Sequence, residues 1–144
     1  AIFPKLLQAK QAADLHSPSF NQRLITTVMQ GGFLDRHIPT IRALYKTQRD
    51  AMLAALAKDM PADVTWNTPI GGMFLWARLP EGMNAQTLLP LAVEKGVAFV
   101  PGAAFYNDHA DPRTMRLSFV TPNVDEIRTG VAALAAAIAE CRGR

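Results

Sequence analysis

Thr114-Met115-Arg116-Leu117-Ser118-Phe119-Val120 is the stretch whose reading decides the fold. In a β-strand the side chains alternate between two faces, so Met115, Leu117 and Phe119 share one face. Thr114, Arg116, Ser118 and Val120 share the other. One face calls for a core, while the other holds a guanidinium between two hydroxyls. The planar fork of an arginine suits a carboxylate gripped by two parallel hydrogen bonds. An ordinary solvated arginine on a half-exposed strand is the alternative that the strand alone leaves open, because exposed arginine is the norm.

Working outward, the residues after this strand read as a helix. Asn123, with Glu126 three residues on, has the pattern of a capping box, and Val124, Ile127, Val131, Leu134 and Ile138 recur at helical spacing. Before it, Val97–Val100 reads as a strand closed by the Pro101-Gly102 turn, and 106–113 as a polar loop. Upstream again, Asn84 caps a helix that runs to Gly96, with Pro90 an irregularity inside it. Met73–Leu79 has apolar residues on both sides, the pattern of a strand covered on both faces. Thr68–Gly72 is a turn, and Val64–Trp66 a short strand. The longest helix follows Asp35-Arg36-His37, with Ile38, Ile41, Tyr45, Gln48, Met52 and Leu56 near one stripe, Pro39 in its first turn and Met60-Pro61 at its end. Pro4 to Asp14 reads as a short helix. A second, with Ser17 as N-cap and Pro18 at the first position, runs through Phe20, Leu24 and Val28 to Gly31-Gly32. These elements predict an α+β domain, a two-layer α/β sandwich whose small, largely antiparallel sheet has helices packed on it.

Composition narrows the function. The 144 residues are 49% hydrophobic and 19% charged, a balance suited to one soluble domain with a real core. The net charge of +3, from 15 basic and 12 acidic residues, is interspersed, so neither a nucleic-acid arm nor a membrane-surface patch is present. No apolar run reaches the length of a membrane span. The one cysteine, Cys141, forms no internal disulfide, which is compatible with a reducing cytoplasm. Ala1-Ile2-Phe3-Pro4-Lys5 does not read as a signal peptide; the chain reads as if cut from a longer protein.

His16, His37 and His109 are scattered and show no metal-ligand spacing. There is no Gly-x-Ser-x-Gly elbow, no phosphate loop and no dinucleotide fingerprint. By itself the chain lacks a reaction centre, and no catalytic or metal-binding residue is assigned.

Taken in order, several segments resemble one family. They are Leu7–His16 with Phe20-Asn21-Gln22; His37–Tyr45 with Arg49-Asp50; Pro69–Trp76; Gly96–Gly102 with Phe105; and Met115–Phe119. The series resembles the C-terminal part of fold-type-I pyridoxal-phosphate aminotransferases, nearest to the 2-aminoadipate branch, over essentially the whole chain. The resemblance implies that Arg116 binds the substrate α-carboxylate and that Pro101-Gly102 and Phe105 lie near the substrate entrance. Residues 1–33 would be interdomain and dimer-interface helices, with the linker at His16 and Ser17 near the neighbouring active site. Residues 34–144 would be the small domain. Gly71, Gly72, Phe74 and Trp76 are expected to serve packing and turns.

The family's cofactor lysine, the aspartate facing the pyridine nitrogen and most phosphate ligands lie upstream of the matched region. Pyridoxal 5'-phosphate is therefore expected in a full-length parent and not on this chain, which alone should be inactive. The parent would be a cytoplasmic homodimer whose N-terminal large domain completes the site, acting on amino acids and 2-oxo acids. The alternative is the aminotransferase-like effector-sensing domain of a helix-turn-helix transcription regulator.

Overall fold

Alternation along one strand organises the sheet, and the sheet organises the rest. The computed structural model describes residues 2–143. Among them are α1 (Phe3–Ala13), α2 (Ser19–Met29), α3 (Phe33–Asp59), β1 (Thr65–Trp66), β2 (Phe74–Arg78), α4 (Ala85–Glu94), β3 (Val100–Pro101), β4 (Thr114–Ser118) and α5 (Val124–Arg142). Two 3-10 turns, Gln30–Gly32 and Gly102–Phe105, complete the set. The chain divides inside α3 into two compact units, one through Ile41 and one from Arg42 onward.

In the first unit α1 and α2 bury no residue. Their apolar side chains, among them Leu6, Leu7, Phe20, Leu24, Ile25 and Val28, stand exposed. The expected N-cap at Ser17 is not made: α2 starts at Ser19, and extended Pro18 precedes it without a side-chain cap. Ser17 contributes its carbonyl instead, accepting from Gln22 Nε2 at 2.7 Å. A second correction concerns Pro39. Gly31 and Gly32 adopt φ of 68° and 71°, turning the chain so tightly that α3 begins at Phe33. Pro39 is thus the seventh helical residue rather than a first-turn one, and the helix forgoes the bond its N–H would have donated to Asp35. Stacking of Phe33 on His37, 5.3 Å between centroids, supports the turn ahead of it.

The second unit is an antiparallel sheet of order β1-β2-β4-β3 with helices on one face. β2 and β4 pair Phe74 with Ser118, Trp76 with Arg116 and Arg78 with Thr114. Cross-strand partners share a face. Leu75, Ala77, Met115 and Leu117 therefore point together into the core, where they are buried with Phe119, Leu56, Leu88, Ile127, Leu134 and Ile138. Met52, Ala55 and Leu56 supply the buried stripe of α3, and buried Gln48 donates through Nε2 to the Pro122 carbonyl at 2.8 Å. The fold is α+β and two-layered, as the strand pattern predicts.

Local signals explain most boundaries. Asn123 Oδ1 accepts from the Asp125 and Glu126 amides at 2.9 and 3.0 Å, and Glu126 Oε2 accepts from the Asn123 amide at 2.7 Å. This reciprocal cap supports α5 by about 1 kcal/mol. Asn84 Oδ1 caps α4 by accepting from the Gln86 amide at 2.8 Å, and the helix carries Pro90 on an exposed position. Two strand expectations shift. The Val97 amide bonds back to the Ala92 carbonyl at 3.0 Å across a Gly96 with φ of 83°, so the α4 exit turn claims Val97 and β3 starts only at Val100. β2 is not covered on both faces either: Leu75 and Ala77 are buried, but Phe74 and Trp76 are only half-buried on the face that bears Arg116.

Candidate carboxylate-binding site

Arg116 occupies the middle of β4, flanked in register by Trp76 of β2 and Val100 of β3. Its guanidinium carbon lies 4.0 Å from the centre of the Phe74 ring and 4.6 Å from that of Phe105. Phe74 is two residues before Trp76 on the same strand face, and Phe105 ends the 3-10 turn that follows β3. Trp76 meets Phe105 edge-on, 5.4 Å between centroids at 81°. Gly102 makes this closeness feasible. A Cβ there would lie 2.8 Å from Trp76 Cζ3 and 2.7 Å from Thr114 Cβ, too near for either to stay in place.

Three arginines of the described residues are half-buried, and two have carboxylates. Arg49 donates to Asp50 at 2.6 and 2.9 Å, and Arg113 donates to Asp111 at 3.2 Å. Among the described residues Arg116 has no such partner: its buried Nε makes no hydrogen bond, and its guanidinium enters no ion pair. Ordering an arginine side chain costs about 1.5–2 kcal/mol of rotamer entropy. One cation–π contact contributes about 0.5–2 kcal/mol depending on desolvation, so two rings are of the right size to offset that cost. A ring contact, unlike an acid, takes up none of the guanidinium's N–H donors. The result is an ordered cation without a counter-charge, which is what an incoming carboxylate requires.

The hollow beside it is small, about 170 Å³, lined by Phe74, Ala98, Phe99, Val100, Arg116 and Ser118. Complete small-molecule sites run to roughly 300–1,000 Å³, so this is room for the head of a ligand rather than the whole of one. Larger hollows lie elsewhere. One of about 650 Å³ adjoins Lys95, Asn123 and Glu126, whose polar groups are already engaged in the helix cap and in the Lys95–Glu140 pair at 2.8 Å. Another of about 430 Å³ is mostly apolar and lies among Met52, Val97, Leu117 and Ile127.

At the far end of the same face, Asp111 accepts from Arg78 Nε at 2.7 Å and from the Arg113 amide at 3.1 Å. The amide bond, then the guanidinium groups of Arg113 and Arg78, hold its carboxyl below the usual aspartate range. This pairing anchors the loop that leads into β4.

The other residues raised by sequence stay apart from Arg116. His16 is exposed beside the Ser17 carbonyl, His37 stacks on Phe33, and His109 lies beside Asp108. Cys141 is a half-buried free thiol. Among the described residues no group of histidines, cysteines or acids could hold a metal. Nor do the residues present fit pyridoxal 5'-phosphate. All five lysines are surface residues, engaging Gln8, Asp14, Asp50, Asp59 and Glu140 respectively, and none lines the hollow at Arg116. Sequence reasoning raises Arg116 as the candidate carboxylate binder. It placed Phe74 and Trp76 with packing residues, and the missing signal was the register: only pairing Trp76 with Arg116 puts both aromatics on the arginine's face.

Known proteins resemble the chain in sequence and in fold. The aspartate amino-transferase family model matches residues 24–142. Aromatic-amino-acid aminotransferase 1 of Thermococcus litoralis is 48% identical over 136 residues, 94% of this chain and 33% of the relative. The 2-aminoadipate transaminase of Thermus thermophilus is 42% identical over 134 residues, 93% of this chain and 34% of the relative. The crystal structure of LysN, the alpha-aminoadipate aminotransferase of Thermus thermophilus, complexed with N-(5'-phosphopyridoxyl)-L-leucine, superposes with a TM-score of 0.83 at 40% identity. That match covers 98% of this chain and 36% of the other. The chain thus spans about a third of the length of the curated relatives it matches. With a family model matched over most of its length and this extent of identity, the chain belongs to the aspartate amino-transferase family.

Proposed function

We propose that this chain is the C-terminal, carboxylate-binding part of an enzyme that transfers an amino group between an amino acid and a 2-oxo acid. Arg116 grips the α-carboxylate of the substrate through its free N–H edge and so fixes where the Cα lies, an orienting role. The observation that carries the reading is a half-buried arginine that lies over two aromatic rings and has no carboxylate partner among the described residues. Relatives named as aromatic-amino-acid and 2-aminoadipate aminotransferases support the substrate class.

Pyridoxal 5'-phosphate would supply the amino-transfer chemistry in the complete protein, held by residues outside this chain. In this reading residues 34–144 are the small domain. Residues 1–33 are the helices at the domain and dimer interface, and their exposed apolar faces are consistent with a covering partner. The complete protein would be a cytoplasmic homodimer, and this chain alone would not transaminate. The effector-sensing regulator shares the fold and differs upstream, where a DNA-binding helix-turn-helix would precede the cofactor domain.

The test is Arg116→Ala in the complete protein. Two charge-assisted hydrogen bonds lost predict a rise of about 100-fold or more in the KM for amino acids, with Arg116→Lys recovering part of it. Cofactor loading, read from its visible absorbance, should not change. Unaltered amino-acid kinetics in Arg116→Ala would refute the assignment.

A further inference from the structure

We propose that Phe105 is a positioning residue that acts through Arg116, and that Gly102 keeps the place in which Phe105 can do so. The inference rests on the carboxylate reading and adds to it the means by which the cation is held ready.

An acid can hold an arginine still, as Asp50 does Arg49 and Asp111 does Arg113 here. An acid would defeat a carboxylate receptor, because it neutralises the charge and occupies the N–H edge that the ligand needs. Aromatic faces hold the same group from above and below and leave both free. The Arg116 guanidinium carbon lies over the rings of Phe74 and Phe105, 4.0 and 4.6 Å from their centres. They differ in how they are themselves held. Phe74 belongs to β2, next to β4 in the sheet. Phe105 sits on a 3-10 turn with 48% of its surface exposed, and its ring stands in a T-shaped contact with Trp76.

Trp76 can lie there only because position 102 has no side chain. An added methyl would meet both Trp76 and Thr114, and Thr114 is not free to yield, since its hydroxyl donates to the Asp111 carbonyl at 2.9 Å. Gly102 does not have a positive φ, so space rather than backbone freedom requires glycine here. A chain of contact runs from Gly102 to Trp76, from Trp76 to Phe105, and from Phe105 to the guanidinium.

The experiment is a set of variants in the complete, cofactor-loaded protein, read as KM and kcat for an amino acid. Phe105→Leu keeps the bulk and removes the ring face; it should raise KM about five- to tenfold with kcat within about twofold. Phe105→Tyr keeps the face and should stay within about twofold of wild type. Gly102→Ala should reproduce the Phe105→Leu loss, and the two together should cost no more than either alone. In an Arg116→Ala background Phe105→Leu should have no further effect. Wild-type kinetics in Phe105→Leu, an equal loss in Phe105→Tyr, or an undiminished Phe105→Leu effect without Arg116 would each overturn the proposal. If Arg116→Ala alone leaves KM unchanged, the carboxylate reading fails instead. If Arg116→Ala is impaired while Phe105→Leu is not, only the positioning role falls.

Discussion

The two faces of the sheet are made from the same strands and obey different rules. On one face Leu75, Ala77, Met115 and Leu117 are buried beneath helices. On the other, Phe74, Trp76, Thr114, Arg116 and Ser118 are only half-buried, and the polar edge of a guanidinium is left unspent. Burial on the first face supplies stability, because each large side chain there contributes about 1.5–3 kcal/mol of transfer free energy. The second face contributes position. Phe74 and Phe105 lie within cation–π distance of Arg116 there, so their electrostatic faces count as well as their area.

Substitutions can break this contrast or sharpen it. The largest effect is expected on the core face: Leu75→Ala, at a fully buried site, should destabilise the protein by about 2–5 kcal/mol in denaturant unfolding. A loss below about 1 kcal/mol would mean that the helix-covered face is not the structural one.

An intermediate effect is expected at Asp111, which ties β2 to the loop before β4. Its folded pKa is depressed, so the stability it adds is complete above the unfolded aspartate value of about 3.9 and is lost as pH falls through the lower folded value. Asp111→Asn should therefore cost less than about 1 kcal/mol at neutral pH, solvent screening limiting a pair whose Arg78 partner is about half exposed. The difference from wild type should close at the acid end of a pH series of unfolding midpoints. A gap that widened with acidification would show that the carboxylate is not stabilised by its partners.

The smallest effect on stability is expected at the site itself. Arg116→Ala should leave unfolding within about 0.5 kcal/mol of wild type, while its effect on substrate affinity is large. A strongly destabilised variant would make Arg116 a structural cation and erase the contrast between the faces.

How much of this was legible in the chain follows from how local each signal is. The period-two alternation of Met115, Leu117 and Phe119, the Asn123–Glu126 box and the Asn84 cap are properties of a few adjacent residues, and each reads directly into structure. Arg116 was legible as a candidate for the same reason: its neighbours on the strand define its face. Pro39, Ser17 and Val97 misled because their outcome is set by a neighbour's backbone. Two positive-φ glycines start α3 early, Pro18 displaces the cap, and the Gly96 turn draws Val97 back toward α4. The contact of Arg116 with two rings was illegible for a stronger reason. Phe74, Phe105 and Arg116 meet only through strand register and a turn whose spacing depends on a missing methyl at Gly102.

The strand order carries a consequence for how the protein is made. β3 is hydrogen-bonded in the sheet to β4 alone, and β2 finds its second neighbour in β4, about forty residues later in the chain. As synthesis proceeds from the N-terminus, β1 and β2 can pair as a hairpin, but β3 must wait as an unpaired strand until residues 114–118 have emerged. Closure of such non-local pairs is the slow part of folding. The strand that carries Arg116 is thus also the one whose arrival completes the sheet, so a nascent chain interrupted before it would lack both the fold's centre and the proposed carboxylate site.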